Sequence, residues 1–199
     1  MVTKRVMDIT LSSLMLLLFA VPFAIIALMV KLDSPGPVFY RQKRVGKDGK
    51  VFQLLKFRSM VVDAERNGLG YEVARNDQRI TRVGRLLREW GLDELPQLIN
   101  VIRGEMSLVG PRAARPDQME RFTERERQRA RVKPGITGWA LVNGRNLIDW
   151  KRRIELDLWY IEHWSFWLDV KILLKTLWVV LVTRQGVYGP AGVTRDYSP

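Results

Sequence analysis

Between positions 9 and 30 no side chain carries a charge. Leu, Ile, Phe, Met and Ala fill most of this run, which is long enough for a helix to cross a bilayer. It continues into Lys31, Leu32 and Asp33 without a small-residue cleavage site, so the segment is expected to be retained. Pro22 interrupts it midway, where its missing N–H frees the carbonyl of Leu18 and favours a kink. Beyond Asp33 the pattern becomes that of a soluble domain, opened by the helix-stopping turn Ser34-Pro35-Gly36-Pro37. Val38-Phe39-Tyr40 and Val51-Phe52-Gln53-Leu54-Leu55 are short β-like runs on either side of Gly46-Lys47-Asp48-Gly49, which predicts a hairpin. Residues 63–78 read as a polar loop with some helix, and 82–90 as a helix broken at Gly91. A further helix begins near Asp93, accepts Pro96 in its first turn, buries Leu95, Leu98, Ile99 and Ile102, and ends at Gly104. The charged stretch 115–131 is predicted helical, 133–138 a turn-rich loop, and 149–162 another helix. Trp164, Phe166, Trp167, Leu168, Trp178 and Leu181 then stand among Asp169, Lys171 and Lys175. That mixture is too charged for a span and too aromatic for an ordinary surface, which predicts an interfacial helix or hairpin in the headgroup zone, with a buried core helix as the alternative. The fold class is mixed α/β, mainly helical, and the last dozen residues are expected to be loosely ordered.

Charge changes the reading of the apolar run. Lys4 and Arg5 precede it, while Lys31, Arg41, Lys43, Arg44, Lys47 and Lys50 follow, so both flanks are basic. Basic flanks stay cytoplasmic, which suits a helix that enters, bends near Pro22 and returns to the same face; a tilted single span remains the other reading. Across 199 residues Lys and Arg outnumber Asp and Glu by 33 to 21, a formal charge of +12 that attracts phosphates, anionic lipid or nucleic acid without choosing among them. There is no cysteine and one histidine, His163. This excludes disulfides, thiolate zinc sites, thiol nucleophiles and any Ser-His triad not using that imidazole, so the chemistry must lean on carboxylates.

Trp90-Gly91-Leu92-Asp93-Glu94-Leu95-Pro96-Gln97 sets two adjacent carboxylates at a helix start among apolar residues. Carboxylates in a first turn are already favoured by the helix dipole, and most such pairs are merely solvated, so the pair alone does not mark catalysis. Its surroundings shift the balance: Arg79, Arg82, Arg85 and Arg88 precede it, and Arg112 and Arg145 lie in Gly- and Pro-containing loops. Guanidinium forks, a helix N-terminus and a carboxylate that can act as nucleophile or Mg²⁺ ligand are what phosphate chemistry uses. Two other classes stand beside an enzyme. One is a non-enzymatic membrane-anchored basic scaffold; the other is a nucleic-acid-binding protein, against which the aromatic residues speak, because they cluster in apolar stretches and do not interleave with the basic ones.

The chain resembles the bacterial sugar transferase family of monotopic phosphoglycosyl transferases in its small form. The likeness, from about Lys4 to Arg184, is carried by Lys4-Arg5-Val6-Met7-Asp8, Gly36-Pro37-Val38-Phe39, Gln42-Lys43-Arg44-Val45-Gly46 and Lys56-Phe57-Arg58-Ser59-Met60. Leu92-Asp93-Glu94-Leu95-Pro96-Gln97, Ser107-Leu108-Val109-Gly110-Pro111-Arg112, Pro134-Gly135-Ile136-Thr137-Gly138 and Val142-Asn143-Gly144-Arg145-Asn146 complete it. The resemblance implies a re-entrant helix over 1–33, a catalytic domain with interfacial helices over 34–185 and a tail over 186–199. It implies that Asp93 attacks the sugar-linked phosphorus of a UDP-sugar, expels UMP and passes the phosphosugar to a polyprenol phosphate, usually undecaprenyl phosphate. Glu94 would hold Mg²⁺, and Arg88, Arg112 and Arg145 would grip phosphates. Lys56 and Asp169 would lie in or beside the site, unless Lys56 only snorkels and Asp169 only pairs with a base; Pro111 would support it. The implied setting is the cytoplasmic face of the bacterial inner membrane, with no nucleic acid partner and glycosyltransferases downstream. Three departures stand out: Val21 where members often carry Ser before the proline, Ala113 for a usual proline, and Leu141 for a common Gln.

Overall fold

The uncharged run folds as two helices in the computed structural model, which describes residues 2–68, 70–183, 187–189, 192–194 and 197. Helix α1 (Val2–Leu18) and α2 (Ala20–Asp33) meet at a bend of 66°. The break falls at Phe19, not at Pro22, because Pro22 occupies the first turn of α2, where an N–H has no intrahelical acceptor to lose. Leu18, whose carbonyl the proline cannot serve, ends α1. Neither Val21, which has no hydroxyl, nor Phe19 caps α2 with a side chain. Among the described residues no single helix is long and apolar enough to cross a membrane, and only the bent pair together meets that requirement.

The charged start of α1 is tied to the rest of the molecule. Arg5 donates to the carbonyls of Val101 and Ile102 at 2.6 and 2.8 Å, and Asp8 accepts from Ser107 Oγ and Leu108 N at 3.0 and 2.9 Å. Strands β1 (Phe39–Val45) and β2 (Val51–Phe57) form the expected hairpin, longer than its apolar runs, with Phe39 opposite Phe57 and Val45 opposite Val51. The loop that follows contains a 3-10 turn at Ala64–Arg66 and the short β3 (Val73–Ala74). Helix α3 (Arg82–Trp90) is capped by Thr81 and ended by Gly91 at φ 68°; α4 (Gln97–Arg103) is ended by Gly104 at φ 83°. These left-handed glycines close both helices as C-caps.

Downstream come β4 (Ser107–Val109), α5 (Pro116–Arg121), α6 (Glu124–Arg127), β5 (Gly135–Thr137), α7 (Trp139–Val142), α8 (Trp150–Glu162) and α9 (Phe166–Trp178). Two expectations change here. The 115–131 stretch is not one helix: Thr123 starts a new one, its side chain accepting from Glu126 N, and a 3-10 turn follows at Gln128–Arg131. The loop at 133–138 contains β5, which pairs in parallel with β4, Ser107 against Gly135 and Val109 against Thr137. Only glycine permits this approach, since a Cβ on Gly110 would lie 2.5 Å from Lys133 O and 2.9 Å from Gly135 N.

The core has one cluster around Phe52, Leu98, Val101, Leu108 and Ile172, with Leu11 and Met15 of α1 laid on it. Another joins Ile26 and Val30 of α2 to Phe57 and Leu87. Helix α9 buries Asp169 and Ile172 and exposes Trp167, Leu174, Leu177 and Trp178, so one face is core and the other apolar surface. Of the tail expected to be loosely ordered, residues 186, 190, 191, 195, 196, 198 and 199 lie outside the described residues. Among the described ones, β6 (Val193–Thr194) pairs with β3, and Tyr197 packs against Phe122.

Candidate active site

Asp93 and Glu94 stand in a 3-10 turn, Leu92–Glu94, between Gly91 and Pro96. Leu92 and Leu95 on either side pack against the α2 cluster. Packing of those two half-buried leucines fixes the turn, and its carboxylates line a cavity of about 890 Å³, within the size range of small-molecule sites. Lys56, Arg88, Asp93, Glu94, Arg112 and Arg145 all line it.

Each cation arrives by a different route. Lys56 lies on β2 opposite Tyr40 and donates to Glu94 Oε1 at 2.7 Å, while Arg112 Nη2 stands 3.5 Å from the same oxygen. Arg88, in the last turn of α3, donates to Ser59 Oγ at 3.4 Å. Arg145 takes a left-handed backbone at φ 51°, a conformation that costs a side-chain-bearing residue on the order of 1–3 kcal/mol and gathers at functional sites. Gly144 before it is at φ 141°, and a Cβ there would meet Ile148 at 2.7 Å.

The two carboxyls titrate apart. Burial, reinforced by the charge of Glu94, raises Asp93 above the usual carboxylate range despite Lys56, Arg88 and Arg145. Burial would raise Glu94 as well, but Lys56 and then Arg112 outweigh it and hold Glu94 well below that range. Burial also lowers the Lys56 ammonium, opposed by Glu94 and Asp93. Of the pair, Glu94 is the carboxyl held as the anion and Asp93 the more basic one, a difference set by environment.

Other expected residues lie elsewhere. Pro111 is buried outside the cavity lining, its carbonyl accepting from Gly135 N at 2.9 Å, so it shapes the loop that carries Arg112. Asp169 does not line the cavity either. Fully buried, it accepts from Lys4 Nζ at 2.5 Å, Tyr160 OH at 2.7 Å and Trp164 Nε1 at 3.0 Å. Of the four arginines before the carboxylates only Arg88 lines the cavity; Arg79 instead binds Asp77 and the carbonyls of Ala64, Asn67, Gly70 and Glu72.

Sequence reasoning missed a second cationic zone. Arg44, pushed down to about 9 by burial and then by Arg112 and Arg115, bonds Gln42 and the carbonyl of Ala113. Arg153 is pushed down to about 10 by burial and then by Arg112. Arg129 binds Asp157 at 2.5 Å and the carbonyl of Arg112 at 3.1 Å. Arg44 was within reach of pattern reading, since Tyr40, Gln42 and Arg44 share the hairpin face of Lys56.

Among the described residues no three carboxylates or imidazoles converge. Glu94, charged and lining the cavity, is the residue that could hold Mg²⁺, an ion that takes one or two carboxylates and completes its shell with substrate phosphates and water.

The family model described as bacterial sugar transferase matches residues 1–183. An uncharacterized sugar transferase, EpsL, of Bacillus subtilis is 43% identical over 196 residues, covering 98% of this chain and 95% of that protein. A UDP-glucose:undecaprenyl-phosphate glucose-1-phosphate transferase of Escherichia coli is 47% identical over 189 residues, covering 91% of this chain and 40% of its own length. An undecaprenyl-phosphate glucose phosphotransferase of Komagataeibacter xylinus is 46% identical over 192 residues, covering 89% and 35%. The chain thus spans nearly all of the first relative and well under half of the other two.

Proposed function

The chain belongs to the bacterial sugar transferase family, and we propose that it is a phosphoglycosyl transferase moving a sugar 1-phosphate from a UDP-sugar to a polyprenol phosphate. The observation that carries this reading is the buried, basic Asp93 in a cationic cavity, on a turn whose leucines pack into the cluster shared by α2, β2 and α3. A carboxylate oxygen of Asp93 attacks the sugar-linked phosphorus. The new O–P bond forms as the bond to UMP breaks, and UMP leaves with the electron pair. A phosphate oxygen of the acceptor then attacks the same phosphorus, Asp93 departs as carboxylate, and lipid diphosphosugar results. Splitting the transfer lets a water-borne donor and a lipid-borne acceptor use one cavity in turn. Arg88, Arg112 and Arg145 hold the diphosphate oxygens, where fixed donors aimed at developing charge lower the barrier. Lys56 keeps Glu94 oriented. Glu94 with the donor's diphosphate would hold Mg²⁺, which supplies charge neutralisation at the phosphates.

The setting proposed is the cytoplasmic face of a bacterial inner membrane. Basic residues on both flanks of the bent pair and the exposed apolar faces of α1, α2 and α9 support a re-entrant seat there. The test uses the full chain with a UDP-sugar and Mg²⁺ but no lipid. The reading requires a burst of about one UMP per chain, the signature of a covalent half-reaction. Asp93→Asn must abolish the burst; its survival in that variant would end the covalent reading.

A further inference from the structure

Lys56, Arg58, Ser59, Met60, Val61 and Val62 all line the cavity, and their chemistry changes along the segment. At one end stand the ammonium of Lys56 and, on Ser59, the guanidinium of Arg88. At the other end Val61 and Val62 are 43% and 51% exposed, with Met60 and Pro37 also lining the wall. Fully extended, the stretch from Lys56 to Val62 spans at most roughly 20 Å.

The apolar end is fastened to the exit of α2. Arg58, buried, donates to the carbonyls of Val30 and Ser34 at 3.1 and 2.7 Å and to that of Pro35. Gly36 lies directly against Val62, since a Cβ there would be 2.7 Å from Val62 Cγ2. One wall therefore runs from the phosphate-binding cations to an open apolar patch beside the end of the bent helix pair. A nucleotide sugar carries polar groups along its whole length and offers such a patch only the ring faces of its base and sugars. An amphiphile matches both ends, with its phosphate at Lys56 and Arg88 and its chain over Val61 and Val62.

On the transferase reading above, we propose that Met60, Val61 and Val62, with Pro37, form the subsite for the first isoprene units of the acceptor and steer its tail out of the cavity toward α2. The test separates the second half-reaction from the first. The full chain, or its Val61→Asn/Val62→Asn variant, is loaded with a UDP-sugar, with flotation showing all protein bound to phosphatidylethanolamine–phosphatidylglycerol vesicles. It is then discharged either by undecaprenyl phosphate in those vesicles or by methyl phosphate, which has no tail. The ratio of the two discharge rates is expected to fall about tenfold in the variant, equivalent to about 1.4 kcal/mol of tail binding. Val61→Leu/Val62→Leu is expected to restore it. An unchanged ratio in the asparagine variant, or an equal loss with both acceptors, would overturn the subsite. A wild-type chain that releases no UMP before any acceptor is added would show instead that the transferase reading itself has failed.

Discussion

Lys56 and Glu94 meet head to head in the cavity wall, Nζ to Oε1 at 2.7 Å, and Arg112 approaches the same oxygen to 3.5 Å. Two cations on one oxygen keep Glu94 charged and still beside Asp93. Lys56→Met is expected to cost on the order of 2 kcal/mol, below the ~3–5 kcal/mol of a wholly enclosed pair because both side chains keep access to the cavity. UMP release should fall about 100-fold, the loss typical of removing one preorganised donor. Adding Glu94→Gln should recover the stability and not the activity. Denaturation and UMP assays on the single and double variants check this; activity within about threefold of wild type would remove Lys56 from the site.

Asp169 is a clamp between α1, α8 and α9, paired with the base Lys4, one of the two roles the sequence left open for it beside a place in or near the site. Asp169→Asn leaves Lys4 without its anion and should destabilise the fold by about 3 kcal/mol. Proteolysis within 2–18 should accelerate, while KM for the UDP-sugar changes less than about threefold. A large rise in KM with unchanged stability would return Asp169 to the cavity.

Hydrogen bonding from Arg79 holds the Asp77 carboxyl below its ordinary 3.8. A carboxyl depressed on folding adds stability that is fully present above 3.8 and fades as pH falls through the lower folded value. Asp77→Asn should therefore lose about 2 kcal/mol at neutral pH, as expected for a charged hydrogen bond. The gap to wild type should shrink below pH 3.8. Urea titrations across that range measure it, and a pH-independent gap would contradict the assignment.

Gly110→Ala forces a methyl against the carbonyl of Lys133 and the amide of Gly135. Separation of β4 from β5 should cost about 1–3 kcal/mol, as overpacking does. It should also raise KM for the UDP-sugar, because Arg112 lies two residues away. Normal donor binding in this variant would show that the strand pair does not position Arg112.

Much of this was legible in the chain. The β-like runs on either side of Gly46-Lys47-Asp48-Gly49 foretold the hairpin, and Lys56, Arg88, Asp93, Glu94, Arg112 and Arg145, all named from the sequence, line one cavity. The break at Thr123 was also written there, as Thr123 with Glu126 three residues on, a capping box overlooked within a charged run. The parallel pairing of β4 with β5 was not legible, since three-residue strands have no period to detect. Nor were Arg129 with Asp157 or Lys4 with Asp169, because pairs 28 and 165 residues apart leave no local trace. Arg79 and Arg88 look alike in sequence; only the loop closing over Arg79 separates a structural guanidinium from one in the cavity.

The central claim is a phosphosugar ester on Asp93, which trypsin isolates within residues 89–103. The chain is incubated with a UDP-sugar and Mg²⁺ without lipid, quenched in acid, digested and fragmented in a mass spectrometer. The account predicts that this peptide gains the mass of one sugar phosphate, that fragmentation assigns it to Asp93, and that adding polyprenol phosphate before the quench removes it. An adduct on Glu94, or full turnover to lipid product with no adduct anywhere in 89–103, would contradict it.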